Sequence, residues 1–287
     1  MKYQFIEQYS EIFHIERMCR VLKVARSGYY AWRKRPLSPR KQEELRFKVQ
    51  IREVYMQSKA IYGSPRITEE LKSRAIPCGR NRVARLMKEM GLRSLVVKKH
   101  LKTSRPGTQN PRIPNRLSGI SSLRTPNQVW VSDITYIWTQ EGWAYLIAIL
   151  DLYSRKIISW KLHHRLTQDS VIDCVQYAWT SRKPSPGLIF HSDHGSQYTS
   201  LSCQSLLKDR GILQSLTGPN HCYDNAVMES FFHTLKTEWT NSQSFNTRQQ
   251  LKQSLFNYIE VFYNRNRRHS SIGYLAPEQF ESFANYP

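Results

Sequence analysis

Between Val129 and His163, three apolar runs of strand length follow one another with links of only a few residues. They cover Val129 to Trp138, Trp143 to Leu152, and Ile157 to His163. Links this short turn the chain straight back, so the three runs predict antiparallel hairpins. The pattern then alternates. Thr167 to Ser181 carries Val171, Val175 and Ala178 on one helical face. Residues 188–192 read as a strand, 199–210 as a helix, 212–216 as a strand, and Asp224 to Trp239 as a last helix. Three hairpin strands followed by alternating helices and strands predict an α/β unit, a mixed five-stranded sheet with helices packed on it.

Three carboxylates stand out in this frame. Asp133 interrupts the apolar run Val129 to Tyr136. An ionised side chain inside a strand is costly without a partner, so it calls for an arginine or a metal ion. Asp193 lies where strand 188–192 stops, just before Gly195. Ligands gather at the carboxyl ends of strands in open α/β sheets; an Asx-turn or a helix cap is the plainer reading. Glu229 follows after 35 intervening residues, on the helix for which Asp224 is the expected N-cap. By position alone it is a solvated helix residue. Asn225, Glu229, Phe232 and Lys236 recur along one helix face, while Val227, Phe231 and Leu235 share another that would pack on the sheet. Carboxylates from three separate elements can converge on a pair of divalent cations, and such pairs drive in-line phosphoryl displacement. Asp151, which ends the second strand, is the rival carboxylate; it is read as structural and paired with Arg155. His191 and His194 flank Asp193. They suit phosphate contact or water positioning better than ligation of magnesium, which prefers oxygen.

Charge gives the substrate class. The 287 residues include 43 Lys and Arg against 22 Asp and Glu, a net charge of +21. Such an excess predicts an anionic partner, most simply nucleic acid. The five scattered cysteines form no Cys-x-x-Cys pair, so neither a disulfide framework nor a zinc site is indicated, and a reducing cytoplasmic setting fits. The polar N-terminus has no signal-peptide pattern, and no apolar run is long enough to span a membrane.

The charge is also clustered. Residues 1 to about 55 read as helical and basic, with an aromatic-rich turn and helix start at Arg26 to Trp32 that Pro36 and Pro39 end. In 62–91, Pro65 opens a helix with Ile67 and Leu71 inward, residues 75–79 break it, and a second helix runs from Arg80 to Met90. That second helix sets Val83, Leu86, Met87 and Met90 on one face. Arg82, Arg85 and Lys88 lie on the other, and Arg80 stands at its start. This is the pattern of a helix-turn-helix reading the major groove, or of a plain helical hairpin with a solvated basic side. Residues 90–132 hold eight Lys or Arg and no acid, interrupted by Pro106, Gly107, Pro111 and Pro114: a basic linker, placed at 96–124. The last segment begins with an amphipathic helix (Leu251, Leu255, Tyr258, Ile259, Phe262) and then turns basic. Arg267 and Arg268 there are candidate DNA contacts. The expected division is a helical DNA-binding region at 1–95, the linker at 96–124, a catalytic core at 125–240 and a helical extension at 241–287.

Taken in order, several stretches resemble one family. They are Pro126 to Tyr136, Asp151 to Arg155, His191 to Tyr198, Asp224 to Phe232, Tyr263 to Arg265 and on to His269, with Lys236 seven positions past the glutamate. Together they are similar to the second-reading-frame transposases of bacterial insertion sequences of the IS-three type, which share the retroviral-integrase-like core of two aspartates and a glutamate. Tyr62 through Gly91 resembles that family's helix-turn-helix. The resemblance covers nearly the whole chain. It implies an RNase H-like fold for 125–240 preceded by an all-α helix-turn-helix region. It also implies metal ligation and catalysis by Asp133, Asp193 and Glu229 with Mg²⁺ or Mn²⁺, two ions in all, and nicking and strand transfer of double-stranded DNA. Lys236 would meet phosphate. Pairing two element ends implies a homo-oligomer on DNA, at the bacterial nucleoid. No heptad pattern is sustained along the chain, so no coiled-coil dimeriser is expected within it. In the family, an upstream reading frame encodes a DNA-binding, dimerising segment joined by frameshifting. Two other readings remain: an RNase H-like nuclease, and a DNA-binding regulator whose core is inactive.

Overall fold

The computed structural model describes residues 1–95, 113–118, 120, 122–218 and 225–284. Six helices come first: α1 (Lys2–Gln8), α2 (Ile15–Val21), α3 (Arg26–Lys34), α4 (Pro39–Gln57), α5 (Ser64–Ser73) and α6 (Arg80–Glu89). Pro36 follows the end of α3, as expected. Pro39 does the reverse of ending a segment: it opens α4 at its first turn, behind the Ser38 cap that accepts from the Lys41 amide. The break between α5 and α6 turns through Ala75, whose φ is 57°. Most of the expected linker, 96–112 with 119 and 121, lies outside the described residues.

The strands follow in order: β1 (Val129–Thr139), β2 (Gly142–Asp151) and β3 (Ile157–His163), then α7 (Gln168–Arg182), β4 (Ile189–Ser192), α8 (Ser196–Thr199), α9 (Leu201–Asp209) and β5 (Leu213–Leu216). The chain closes with α10 (Ala226–Glu238), α11 (Arg248–Phe256), a π-helical continuation over Asn257–Tyr263, and α12 (Pro277–Ala284). The expected helix 199–210 is split, because Ser200 leaves the helical conformation to cap α9. Asp224, the expected cap of α10, lies outside the described residues. The residue that precedes α10 is Asn225, whose side chain makes no capping bond.

The strands form one sheet in the order β3-β2-β1-β4-β5. β1 to β3 are antiparallel, while β4 runs parallel to both β1 and β5. Alternation along each strand gives the sheet two working faces. On one, Val129, Val131, Ala144, Leu146, Ala148 and Leu150 share a core with Met228, Phe231 and Leu235 of α10. On the other, Trp130, Ile147, Ile149 and Phe190 pack with α7 and α9. Covered on both sides, the second half of β2 reads as an unbroken apolar run rather than an alternating one.

Helices α4 to α6 are built into the first of these cores. Phe47, Ile51, Ile67, Leu71, Val83 and Leu86 join it, as do Leu251, Leu255 and Tyr258 of the C-terminal extension. Residues 1–32 keep a small core of their own around Ile6 and Tyr29.

Candidate active site

The sheet register sets two of the carboxylates side by side. β4 pairs in parallel with β1 up to Val131 opposite His191. Two residues further on, Asp133 and Asp193 leave that register on the same face, at the carboxyl end of β4. Neighbouring strands lie about 4.8 Å apart. Asp193 is exposed, and its Oδ1 accepts the Gly195 amide at 3.0 Å. This is the Asx-turn of the plainer reading, and it leaves the second carboxylate oxygen outside the turn. Asp133 is half-buried, and its Oδ1 accepts the Ile134 amide at 2.8 Å.

Glu229 comes from α10, which crosses the same face of the sheet. It is exposed in the first turn of that helix, where unsatisfied amides favour an anion. Lys236 lies in the last turn, where a cation is favoured. Burial pushes the Asp133 carboxyl up to about 7, and the charges of Asp193 and Glu229 add to that push. The Ile134 amide and Lys236 oppose it. Burial likewise lowers Lys236, which Asp133 partly restores. The fold therefore gathers the three sequence-predicted carboxylates and the lysine into one electrostatic neighbourhood.

Among the described residues, no three His, Cys, Asp or Glu side chains stand close enough to hold one metal ion. The donor set nevertheless suits a hard divalent cation. All three groups are carboxylates, and their mutual repulsion at Asp133 is what such a charge would relieve.

The flanking histidines brace the Asp193 turn. His191 is buried with Nδ1 2.9 Å from the Ser215 hydroxyl, and His194 Nε2 donates to the Thr217 carbonyl at 2.8 Å. Both bonds tie the end of β4 to β5. Below the site, the buried Tyr198 hydroxyl meets Ser132 at 2.9 Å.

Asp151 is fully buried, and its carboxylate accepts the amides of Asn127, Tyr153 and Ser154 at 2.6, 2.9 and 3.3 Å. Its charged neighbour is Arg182 at 3.8 Å. The expected partner, Arg155, offers only its backbone amide, to the Asp151 carbonyl. Asp151→Asn places an amide donor against an amide donor, at a cost of about 1–3 kcal/mol. The expected result is a lower melting temperature with strand transfer per folded molecule retained. A soluble, folded but inactive Asp151→Asn would move this residue into the site.

The DNA-contact candidates divide. Arg80 and Lys88 are exposed, and among the described residues no acid pairs with either. Arg82 meets Glu43 at 3.1 Å, and Arg85 meets Glu44 at 2.7 Å and Glu89 at 2.5 Å. Exposed pairs of this kind contribute about 0–1 kcal/mol, so a phosphate can compete for either arginine. Arg267 is different. It is 5% exposed and grips Glu238 through two bonds of 2.8 and 2.7 Å. Arg268 is spent on Glu70, Ser73 and the Tyr274 carbonyl. Arg267 is thus committed to an internal ion pair and Arg268 to protein partners at a part-buried position, while Arg265 of the same run is exposed. Phe232, on the helix face it shares with Glu229, is buried in the core. One neighbour of the site was missed at the sequence level. The Lys236 ammonium stands 5.0 Å over the Tyr136 ring, and the alternation of Tyr136 with Trp138 along β1 was its only signal.

Comparison with known proteins adds the family. Residues 124–222 and 210–277 match two families, each described as integrase core domain, and residues 41–100 match the HTH-like domain. The transposase InsF for insertion sequence IS3A of Escherichia coli K12 is 41% identical over 98% of this chain and 99% of its own length. An uncharacterized 31 kDa protein of insertion element IS600 from Shigella sonnei is 40% identical over 92% of this chain and 97% of that protein. The simian T-cell lymphotropic virus intasome aligns with 77% of this chain and 76% of its own at 17% identity and a TM-score of 0.48, a likeness too loose to add to these. Matched along nearly its full length, the chain belongs to the IS3 family of insertion-sequence transposases, with an integrase core and a helix-turn-helix-like region.

Proposed function

We propose that Asp133, Asp193 and Glu229 are the catalytic set of this transposase, holding two Mg²⁺ or Mn²⁺ ions for 3′-end nicking and strand transfer of double-stranded DNA. The observation that carries this reading is the sheet register that sets Asp133 beside Asp193 at the carboxyl end of β4, with Glu229 in the first turn of the helix that packs on the same face. When bound, the ions would supply Lewis-acid stabilisation of the attacking and leaving oxygens of an in-line displacement. The chain's own groups do the rest. Asp133 is fixed by the Ile134 amide, Asp193 by its turn, and Glu229 by the helix, so the acceptors are oriented before DNA arrives. The test is a strand-transfer assay with labelled element-end oligonucleotides, with and without Mg²⁺. Cleavage of RNA–DNA hybrid alone would favour a nuclease, and DNA binding without chemistry would favour a regulator.

Lys236 is placed to hold a phosphate next to the reacting one, since it lies within the field of Asp133 and is only half-buried. Lys236→Ala is expected to slow end processing without unfolding the protein. The salt slope of DNA binding should fall by about one. A variant with wild-type cleavage and an unchanged slope would make Lys236 a solvated surface lysine.

End selection is assigned to a partner. The net charge of +21 supports tight binding to any duplex. A protein with about 6–10 phosphate contacts loses roughly a thousand- to hundred-thousand-fold in affinity between 50 and 200 mM salt, and such contacts carry little sequence information. The chain is read as the catalytic part of a larger assembly, in which an upstream-frame segment supplies pairing and further recognition to an oligomer. Alone, it should bind element ends and random DNA about equally at 150 mM salt. A footprint of this polypeptide confined to the ends at that salt would remove the need for the partner.

A further inference from the structure

The hairpin that carries Asp133 ends in three exposed aromatic side chains. Tyr136 and Trp138 stand on β1 and are each 57% exposed; Trp143, across on β2, is 47% exposed. The rings touch edge to face. Tyr136 and Trp143 have centroids 5.1 Å apart at 89°, and Trp138 and Trp143 are 4.9 Å apart at 75°. Single exposed rings are ordinary on a protein surface, but three in contact mark a binding surface. β4 pairs with β1 only as far as Val131, so the outer part of β1, which carries two of the rings, is not paired with β4.

Two further observations identify what sits there. Lys236 reaches this corner, with its ammonium over the Tyr136 ring, and it also lies within the field of Asp133. A cavity of about 510 Å³ adjoins the rings, lined by Lys236, Thr240 and Asn241 as well as by the three aromatics. Rings and a cation together match two parts of a nucleotide, a base face and a phosphate. A base inside a duplex is already stacked on both faces. Only an unpaired one can lie against a protein ring.

We propose that Tyr136, Trp138 and Trp143 form a stacking site for an unpaired nucleotide of the DNA end, with Lys236 on its phosphate. This rests on the transposase reading above. The three rings act as positioning residues for an opened terminus: alternation sets them on the face of β1 opposite Asp133, and Lys236, over the Tyr136 ring and within the field of Asp133, links the two faces. The corner binds any base, because every base presents a π face, so it contributes placement rather than recognition.

The test uses the full chain in chelator, where no chemistry occurs, titrated with short oligothymidylate while tryptophan emission is recorded. Saturable quenching is expected. Trp138→Ala and Trp143→Ala should each weaken oligothymidylate binding on the order of tenfold, and Trp138→Phe should retain most of it. Tyr177→Ala removes another exposed ring, one that lies beneath Lys161, and should change nothing. Unchanged oligothymidylate affinity in both tryptophan variants overturns the proposal. So does a loss of self-association in sedimentation with oligothymidylate affinity intact, which would give the corner to a second copy of the chain. The two readings fail separately. A wild-type chain that binds oligothymidylate through these rings but never nicks DNA sinks the transposase chemistry alone. An active enzyme whose variants bind normally sinks the stacking site alone.

Discussion

Asp133→Asn, Asp193→Asn and Glu229→Gln are each expected to abolish Mg²⁺-dependent nicking and strand transfer while leaving DNA binding in place. Each change removes one negative charge from a group of three. The remaining two hold a divalent cation poorly, and the stabilisation of the reacting oxygens goes with it. Loss of a single preorganised electrostatic contact already lowers rates by about a hundred- to a thousandfold, and here the whole group acts as a unit. Binding survives because the chain carries 43 basic residues and each variant is one charge more positive. Folding survives because Asp193 and Glu229 are exposed and Asp133 is only half-buried. The check is a labelled-oligonucleotide assay beside a gel-shift titration. Transfer within tenfold of wild type in any one variant would remove that residue from the set.

The largest stability effect is expected at Arg267. Its guanidinium makes a two-pronged contact with Glu238, and their side chains are 6% and 2% exposed. Glu238 also accepts from the Tyr258 hydroxyl at 2.9 Å and lies 3.5 Å from Arg66. Arg267→Ala leaves a buried carboxylate without its main partner, at a cost of about 3–5 kcal/mol. For a domain of this size that is a fall in melting temperature on the order of 10 °C. Arg267→Lys should recover only part of it, since an ammonium cannot make the planar double contact. Calorimetry measures the fall, and a gel-shift series against salt supplies the contrast. A residue buried in an ion pair leaves the salt slope unchanged, whereas a phosphate contact lowers it by about one. Wild-type stability with a reduced slope would return Arg267 to the DNA surface.

The sheet was legible because its signals are local. Short links forced the hairpins of β1 to β3, and the observed limits fall within a residue of those expected. The positions of the three carboxylates along their elements were legible for the same reason: each sits on a strand, at a strand end or on a helix that hydrophobic spacing already places. What failed was pairing across distance. Asp151 was given Arg155, four residues away, but the fold brings Arg182 to it from the end of α7. The run Arg265 to Arg268 looked like a phosphate-binding tail because nothing nearby in sequence balances it. Its counter-charges are Glu238, Glu70 and Glu278, all supplied by other elements. Phe232 was grouped with Glu229 and Lys236, apart from the stripe that packs on the sheet, because one apolar stripe is enough for a helix lying on a sheet. Here α10 is covered twice, by the sheet and by the C-terminal extension, where Phe231 meets Tyr263 at 4.9 Å.

Glu238 closes the helix that begins near Glu229, and it receives Arg66 from α5 and Arg267 from the extension. The helix-turn-helix-like pair and the proposed catalytic centre are thus tied to opposite ends of one helix, thirteen residues long. Such a frame works as a ruler. On the proposed reading, with α5 and α6 on a duplex and Asp133 at the cut, the phosphate presented to Asp133 lies a set number of base pairs from their contacts, and changing that spacing in the DNA is expected to move the cut out of reach.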